Sequence, residues 1–245
     1  MGIYYKDVFR WIAGKILTIA SRIITVRQRI RQAEVSSHRP INSVGLLAVS
    51  KQHPPEAIVE AFDAGQRAFG ENYVQEALVK INKLVSLPIQ WHFIGKIQRN
   101  KAKSIAQHFS WVHTISSIAV AESLNAARPQ DMPVLNVCIQ LNIDDEDTKS
   151  GVTPQEAALL AAHILTLPRL KLRGLMVIPK PEDDMNKQRT TFLRVSECMQ
   201  QLNQQLNLSL DTLSMGMSHD LEAAIAAGST MVRVGTAIFG ERKSN

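Results

Sequence analysis

Short apolar runs alternate with amphipathic stretches from residue 44 to the end of the chain. The runs at 44–50, 67–70, 89–95, 111–115, 134–143, 172–178, 212–217 and 231–239 read as buried strands. The stretches between them, at 55–64, 74–85, 100–107, 118–127, 154–165, 186–207 and 221–227, read as helices. Helix punctuation agrees with this division. Ala64-Gly65 and Ala227-Gly228 each place glycine just past an apolar helix, and Thr153-Pro154 supplies a capping hydroxyl before a first-turn proline. Eight strands with seven intervening helices predict an α/β fold, a single (β/α)8 TIM-type barrel. An open doubly wound sheet would want a glycine fingerprint after its first strand, where Ser50-Lys51-Gln52-His53-Pro54 has none.

Ahead of the first strand, Ile16, Ile19, Ile23, Val26, Ile30 and Ala33 recur in alternating steps of three and four. That spacing predicts a leading N-terminal helix with one apolar stripe, packed against the barrel or lying on a membrane surface. Lys15 and Arg22 interrupt any membrane span, and no secretory cleavage site is evident. Met1-Gly2 is followed by Lys6 where an N-myristoylation signal needs Ser or Thr. Residues 1–14 read as an extension of unknown role and 15–245 as the barrel.

Charge narrows the function classes. The net charge of +6 lies wholly in residues 1–40, where eight Lys and Arg face only Asp7 and Glu34. The body of the chain is balanced, so a nucleic-acid role lacks its basic stripe. Two cysteines without CxxC spacing speak against a disulfide scaffold or a structural metal, and favour a reducing, cytoplasmic setting.

Chemistry concentrates at two places. Lys51 ends the first apolar strand, and in a barrel of this type the reactive groups sit where strands finish. Its amine suits a Schiff base with an aldehyde or ketone; a lysine that merely snorkels from a strand end is the plainer alternative. At the far end of the chain, Ser214-Met-Gly216-Met217-Ser218 runs into a helix near Asp220, and Arg233-Val-Gly235-Thr236 follows. Ser218 is a candidate N-cap there. Clusters of small residues after strands seven and eight suit phosphate, although a single glycine more simply marks a turn. Arg233 shares a face with Gly235 while Val232 and Val234 face away, so its guanidinium needs a carboxylate, phosphate or ring-nitrogen partner. Ser218-His219-Asp220 has the letters of a triad, but adjacent side chains diverge. Gly235 to Gly240 starts like a P-loop and then continues with Glu241-Arg242.

The same residues resemble the pyridoxal-phosphate homeostasis proteins, the YggS- and PROSC-like family with the barrel of the alanine racemase N-terminal domain. The similarity spans roughly residues 16–242. It rests on Leu47-Ala-Val-Ser-Lys51, Phe69-Gly-Glu-Asn-Tyr73, Trp91-His-Phe-Ile-Gly95, Lys149-Ser-Gly151, Arg173-Gly-Leu-Met176, Ser214-Met-Gly-Met-Ser218, Glu222 to Gly228 and Val232-Arg-Val-Gly-Thr236. The resemblance implies pyridoxal phosphate as cofactor, joined to Lys51 as a Schiff base. It implies phosphate contacts from Ser214, Ser218, Gly235 and Thr236, with backbone N–H groups around Gly216 and Met217 sharing. Arg233 would approach the pyridine nitrogen, and Asn72, His92 and Met176 would line the pocket.

Lys96 departs from the pattern of many relatives, as does the leader before Ile16. A racemase of this lineage also needs a second base, typically a tyrosine from another domain and subunit. Here only Tyr4, Tyr5 and Tyr73 exist, and no further domain follows residue 245. The expectation is therefore a monomeric, non-enzymatic protein that holds pyridoxal phosphate in vitamin B6 homeostasis, with apo pyridoxal-phosphate enzymes as candidate partners. A pyridoxal-phosphate-dependent amino-acid racemase and a cofactor-free Schiff-base aldolase are the rival readings.

Overall fold

The computed structural model describes residues 18–144 and 150–241. Parallel strands follow one another in chain order around a closed barrel: β1 (Gly45–Val49), β2 (Ala68–Glu71), β3 (Gln90–Phe93), β4 (Trp111–Ile115), β5 (Leu135–Leu141), β6 (Leu170–Val177), β7 (Thr212–Ser214) and β8 (Met231–Val234). β8 pairs back onto β1, with Leu47 opposite Arg233. The helices are α1 (Ile19–Ser36), α2 (Pro55–Asp63), α3 (Val74–Lys83), α4 (Ala102–His108), α5 (Ile118–Ala127), α6 (Pro154–Leu165), α7 (Met185–Gln205), α8 (Leu221–Ala226) and α9 (Thr236–Phe239).

The expected glycine caps are in place, with Gly65 at φ +86° and Gly228 at φ +102°. Thr153 and Glu156 form a reciprocal capping box at the start of α6. Strands are mostly shorter than the predicted runs, and the last two fall well short. The apolar run 231–239 divides at Gly235, after which residues 236–239 coil into α9. In the run 212–217 the strand ends at Ser214; the Met215 N–H and the Gly216 carbonyl still bond to β8, and the chain turns at Gly216 with φ +94°. Apolar composition alone does not separate a buried strand from the short buried helix that follows it.

With only four residues, α9 does not cover the β8–β1 seam. The leading helix does: α1 packs against α2, α8 and α9, burying Ile23, Val26, Ile30 and Ala33. The face expected to pack on the barrel therefore closes its outer ring. Thr18 caps α1, and Ile16 and the extension 1–14 lie outside the described residues.

Leader arginines fasten this helix to its neighbours. Arg27 donates to the carbonyls of Ala64 and Gly65 at the end of α2, and Arg39 to those of Ile225 and Ser229 at the end of α8. Cationic donors at helix C-termini satisfy carbonyls that lack an intrahelical partner. The charge excess of the leader is thus partly absorbed by the fold.

The largest apolar cluster fills the layer between sheet and helices. Two smaller ones, Leu47–Val49–Ile94 and Trp111–Cys138–Met176, lie on the opposite, inward face of the strands. Both cysteines are free and buried, and burial pushes the Cys138 thiol up to about 12. No helix among the described residues is long and apolar enough to cross a membrane.

Candidate functional site

At the C-terminal mouth of the strands a cavity of about 220 Å³ opens between the ends of β1, β2, β3, β6 and β8 and the loop after β7. Lys51, Asn72, Met217, Ser218, Arg233, Gly235 and Thr236 line it, so seven of the eleven sequence-predicted site residues converge there. Val49, His53, Ile94, Ile178 and His219 complete the lining, which among the described residues includes no Asp or Glu. The site is cationic and floored by aliphatic side chains. The His53 ring stacks on Phe239 of α9 at 5.0 Å, anchoring that wall.

Ser214, His92 and Met176 do not line the cavity: all three are fully buried, one layer deeper in the barrel. The reason is the strand period. Ile94 and Ile178 stand two residues beyond His92 and Met176 on the same inward face and cover them. Gly216 is also buried, its backbone supporting the rim from below.

The turn that carries Lys51 is held on both sides. Lys80 Nζ donates to the Ser50 carbonyl at 2.8 Å, to Glu71 Oε1 at 2.7 Å and to Glu76 Oε1 at 2.6 Å. The Ser50 hydroxyl donates to Glu71 Oε1 at 2.6 Å, while the Gln52 N–H donates to Glu76. Gln52 itself takes φ +63°, a conformation costly for a side-chain-bearing residue unless its surroundings impose it. Burial raises the Glu71 carboxyl above its ordinary range, with Lys80 and Ser50 opposing that rise. Sequence reasoning missed this network. Its one legible sign is Lys80 on the apolar face of α3, three residues after Ala77.

Arg233 is 4% exposed, yet among the described residues it forms no salt bridge. Its guanidinium donates to the carbonyls of Ser214 and Val177 and to the Ser214 hydroxyl. Burial lowers its pKa to about 10, with Asp220 pulling the other way. It remains a cation at neutral pH and brings that charge to the cavity floor.

Around the rim, the N-cap position of α8 is Asp220 rather than Ser218, and its side chain makes no capping bond to the helix. Asp220 accepts the Met217 N–H through Oδ1, so that donor is already engaged and is not offered to an anion as the sequence suggested. Ser218 stays at the rim because Arg29 of α1 donates to its carbonyl at 3.1 Å while pairing with Glu222 at 2.8 Å. Asn72 is placed by a close approach: a Cβ on Gly95 would fall 1.9 Å from the Asn72 carbonyl oxygen, so only glycine fits. Among the described residues, Asn72 Oδ1 is buried without a hydrogen-bond partner. A buried acceptor left so is costly unless something donates to it. Lys96 and Tyr73 line a neighbouring cavity instead.

Residues 25–243 match the family model described as alanine racemase, N-terminal domain. The chain is 51% identical over 225 residues to the pyridoxal phosphate homeostasis protein of Pseudomonas aeruginosa, covering 92% of this chain and 96% of that one. It belongs to this family. The homeostasis protein of Escherichia coli K12 is 50% identical over 227 residues, 91% of this chain and 97% of its own. Among solved structures, PipY of Synechococcus elongatus with pyridoxal phosphate bound superposes with a TM-score of 0.80 at 38% identity, covering 91% of this chain and all of that one. Alanine racemase of Corynebacterium glutamicum shares the fold, with a TM-score of 0.68 at 17% identity, and this chain covers 60% of it.

Proposed function

We propose that this protein binds pyridoxal phosphate at the barrel mouth, with Lys51 as its point of attachment, and serves vitamin B6 homeostasis by holding the cofactor rather than turning over amino acids. The observation that carries the reading is the convergence of Lys51, Asn72, Arg233 and the small residues Ser218, Gly235 and Thr236 on one cavity, whose lining among the described residues includes no carboxylate. Relatives that match nearly the whole chain bear the name of pyridoxal phosphate homeostasis, and PipY was solved with pyridoxal phosphate bound.

The lining fits the group. Pyridoxal phosphate carries an anionic tail, a phenolic oxygen, a ring nitrogen and an aldehyde. A cavity lined by Lys51 and Arg233, with no acid among the described lining residues, favours the anion. Ser218, Gly235 and Thr236 supply small side chains at the rim for phosphate, and the Lys51 amine faces the aldehyde chemistry that the cofactor brings. Arg233 would donate toward the ring nitrogen without giving up its proton, which leaves the ring a weak electron sink. A tyrosine in the role of second base is not evident among the described residues: Tyr73 is 55% exposed and lines the adjoining cavity, and Tyr4 and Tyr5 lie outside the described residues.

Hydride trapping followed by mass spectrometry tests the attachment. The modified lysine should be Lys51, and Lys51→Ala should lose the adduct and the visible absorbance band while its circular dichroism is unchanged. An adduct on another side chain, or none, overturns the reading. A panel of amino acids tested for racemisation separates holding from turnover, and a colourless protein that cleaves aldols would favour the aldolase reading.

A further inference from the structure

A line of buried polar side chains crosses the barrel interior from the cavity to its opposite mouth. Arg233 Nη1 lies 2.9 Å from Ser214 Oγ. Ser214 Oγ lies 2.8 Å from His113 Nδ1, and His113 Nε2 lies 2.9 Å from His92 Nδ1. His92 Nε2 lies 3.2 Å from Gln90 Oε1, at the start of β3, where Gln90 is exposed. Both histidines are fully buried, and the His92 ring stacks on Trp111 at 5.3 Å with an angle of 6°.

The direction of these bonds follows from donor chemistry. A guanidinium only donates, so Ser214 Oγ accepts from Arg233. The single hydroxyl proton then goes to His113 Nδ1, which must be bare. His113 consequently carries its proton on Nε2 and donates to His92 Nδ1, and His92 in turn donates from Nε2 to Gln90 Oε1. The reverse order would deliver two donors to Ser214 and leave its own proton without an acceptor inside the barrel, a buried polar group unsatisfied. Only neutral rings serve, and burial lowers both: His92 to about 3 and His113 well below its ordinary value, with His92 and Arg233 adding to the effect on the latter.

We infer that His113 and His92 are positioning residues for Arg233: through the Ser214 hydroxyl they fix a one-way chain of hydrogen bonds that orients the guanidinium at the cavity floor, although neither ring lines the cavity. The relay does for the arginine what outer partners do for a metal-ligating side chain, selecting one tautomer and one orientation. As a statement about ligand retention the inference rests on the proposed pyridoxal phosphate site. As a statement about tautomers it does not.

Two measurements test it. Long-range ¹H–¹⁵N correlation spectra of the apo protein should show both rings protonated on Nε2 and bare on Nδ1. Protonation of His113 on Nδ1 would overturn the relay whether or not any cofactor binds. In the loaded protein, His113→Leu should weaken retention of pyridoxal phosphate by about tenfold, the scale expected when an outer partner is removed. His113→Gln, which keeps an acceptor and a donor on one planar group, should recover most of it. A His113→Leu protein that is folded and retains the cofactor within about twofold of wild type refutes the positioning role on that same scale. Should His113→Leu not fold, His92→Leu makes the same cut one step further along, with the same expected loss and the same refuting result. Failure of the wild-type chain to take up pyridoxal phosphate would count against the proposed function and leave the tautomer test standing.

Discussion

Lys80 Nζ sits 2.8 Å from the carbonyl oxygen of Ser50, the residue immediately before Lys51. The same ammonium pairs with Glu71 in a bridge whose two side chains are 4% and 0% exposed. The group that places Lys51 is thus itself a lysine, committed to a different task by burial and by two carboxylates. Removing one partner of a buried pair leaves an uncompensated charge.

Lys80→Met should therefore cost about 3–5 kcal/mol of stability, because Glu71 loses its counter-charge. Urea unfolding measures this. If the folded fraction still takes up pyridoxal phosphate, it should do so more weakly than wild type, since the Lys51 turn has lost one of its fastenings.

Arg233→Gln should both weaken cofactor retention, read by equilibrium dialysis, and destabilise the barrel. The carbonyls of Val177 and Ser214 lose a charged donor in a dry interior. The expected loss is about 1–3 kcal/mol for each group left unsatisfied. Lysine should not restore it, because one ammonium does not reproduce a planar fork directed at two strands. Unchanged urea midpoints would show that the arginine is not part of the barrel's support.

Gly216→Ala should destabilise the protein by about 2 kcal/mol, the combined order of a strained φ and an overpacked contact. At φ +94° a Cβ would lie 2.6 Å from the Ala224 Cβ, so the loop after β7 must shift away from α8. Thermal unfolding reads the loss, and an unchanged melting temperature would show that the loop yields without cost.

Acid should erode stability in a window set by His92. Its folded pKa of about 3 lies below the ordinary value of 6.5, so the unfolded chain binds the extra proton between those limits. Stability therefore rises with pH across that window and is lost as pH falls from about 6.5 toward 3. By pH 5 this one ring accounts for about 2 kcal/mol. His92→Gln should show a correspondingly shallower decline in urea midpoint between pH 7 and 5, and a parallel decline would sink the assignment.

The order of strands and helices, the glycine caps and the apolar stripe of the leading helix were legible in the sequence, because each depends on residues close together along the chain. Lys51, Ser218, Arg233, Gly235 and Thr236 were recognisable for a related reason: a costly polar or small residue where an apolar strand ends marks the mouth of a barrel, whereas Asn72 was reached only through the family resemblance. Depth was not legible. His92, Ser214 and Met176 share the inward face with the lining residues but lie a layer beneath it, and period-two alternation gives the face without the height.

Only the closed barrel decided the rest. It brought Lys80 of α3 under the Ser50–Gln52 turn, aligned His113 of β4 with Ser214 of β7, and set α1 over the seam that the four-residue α9 leaves open. These pairings join residues far apart in the chain whose partners are chosen by strand register and barrel closure. Local composition determines which element a residue enters. The groups it meets there depend on how eight strands stagger around a common axis, a property of the assembled sheet rather than of any one segment.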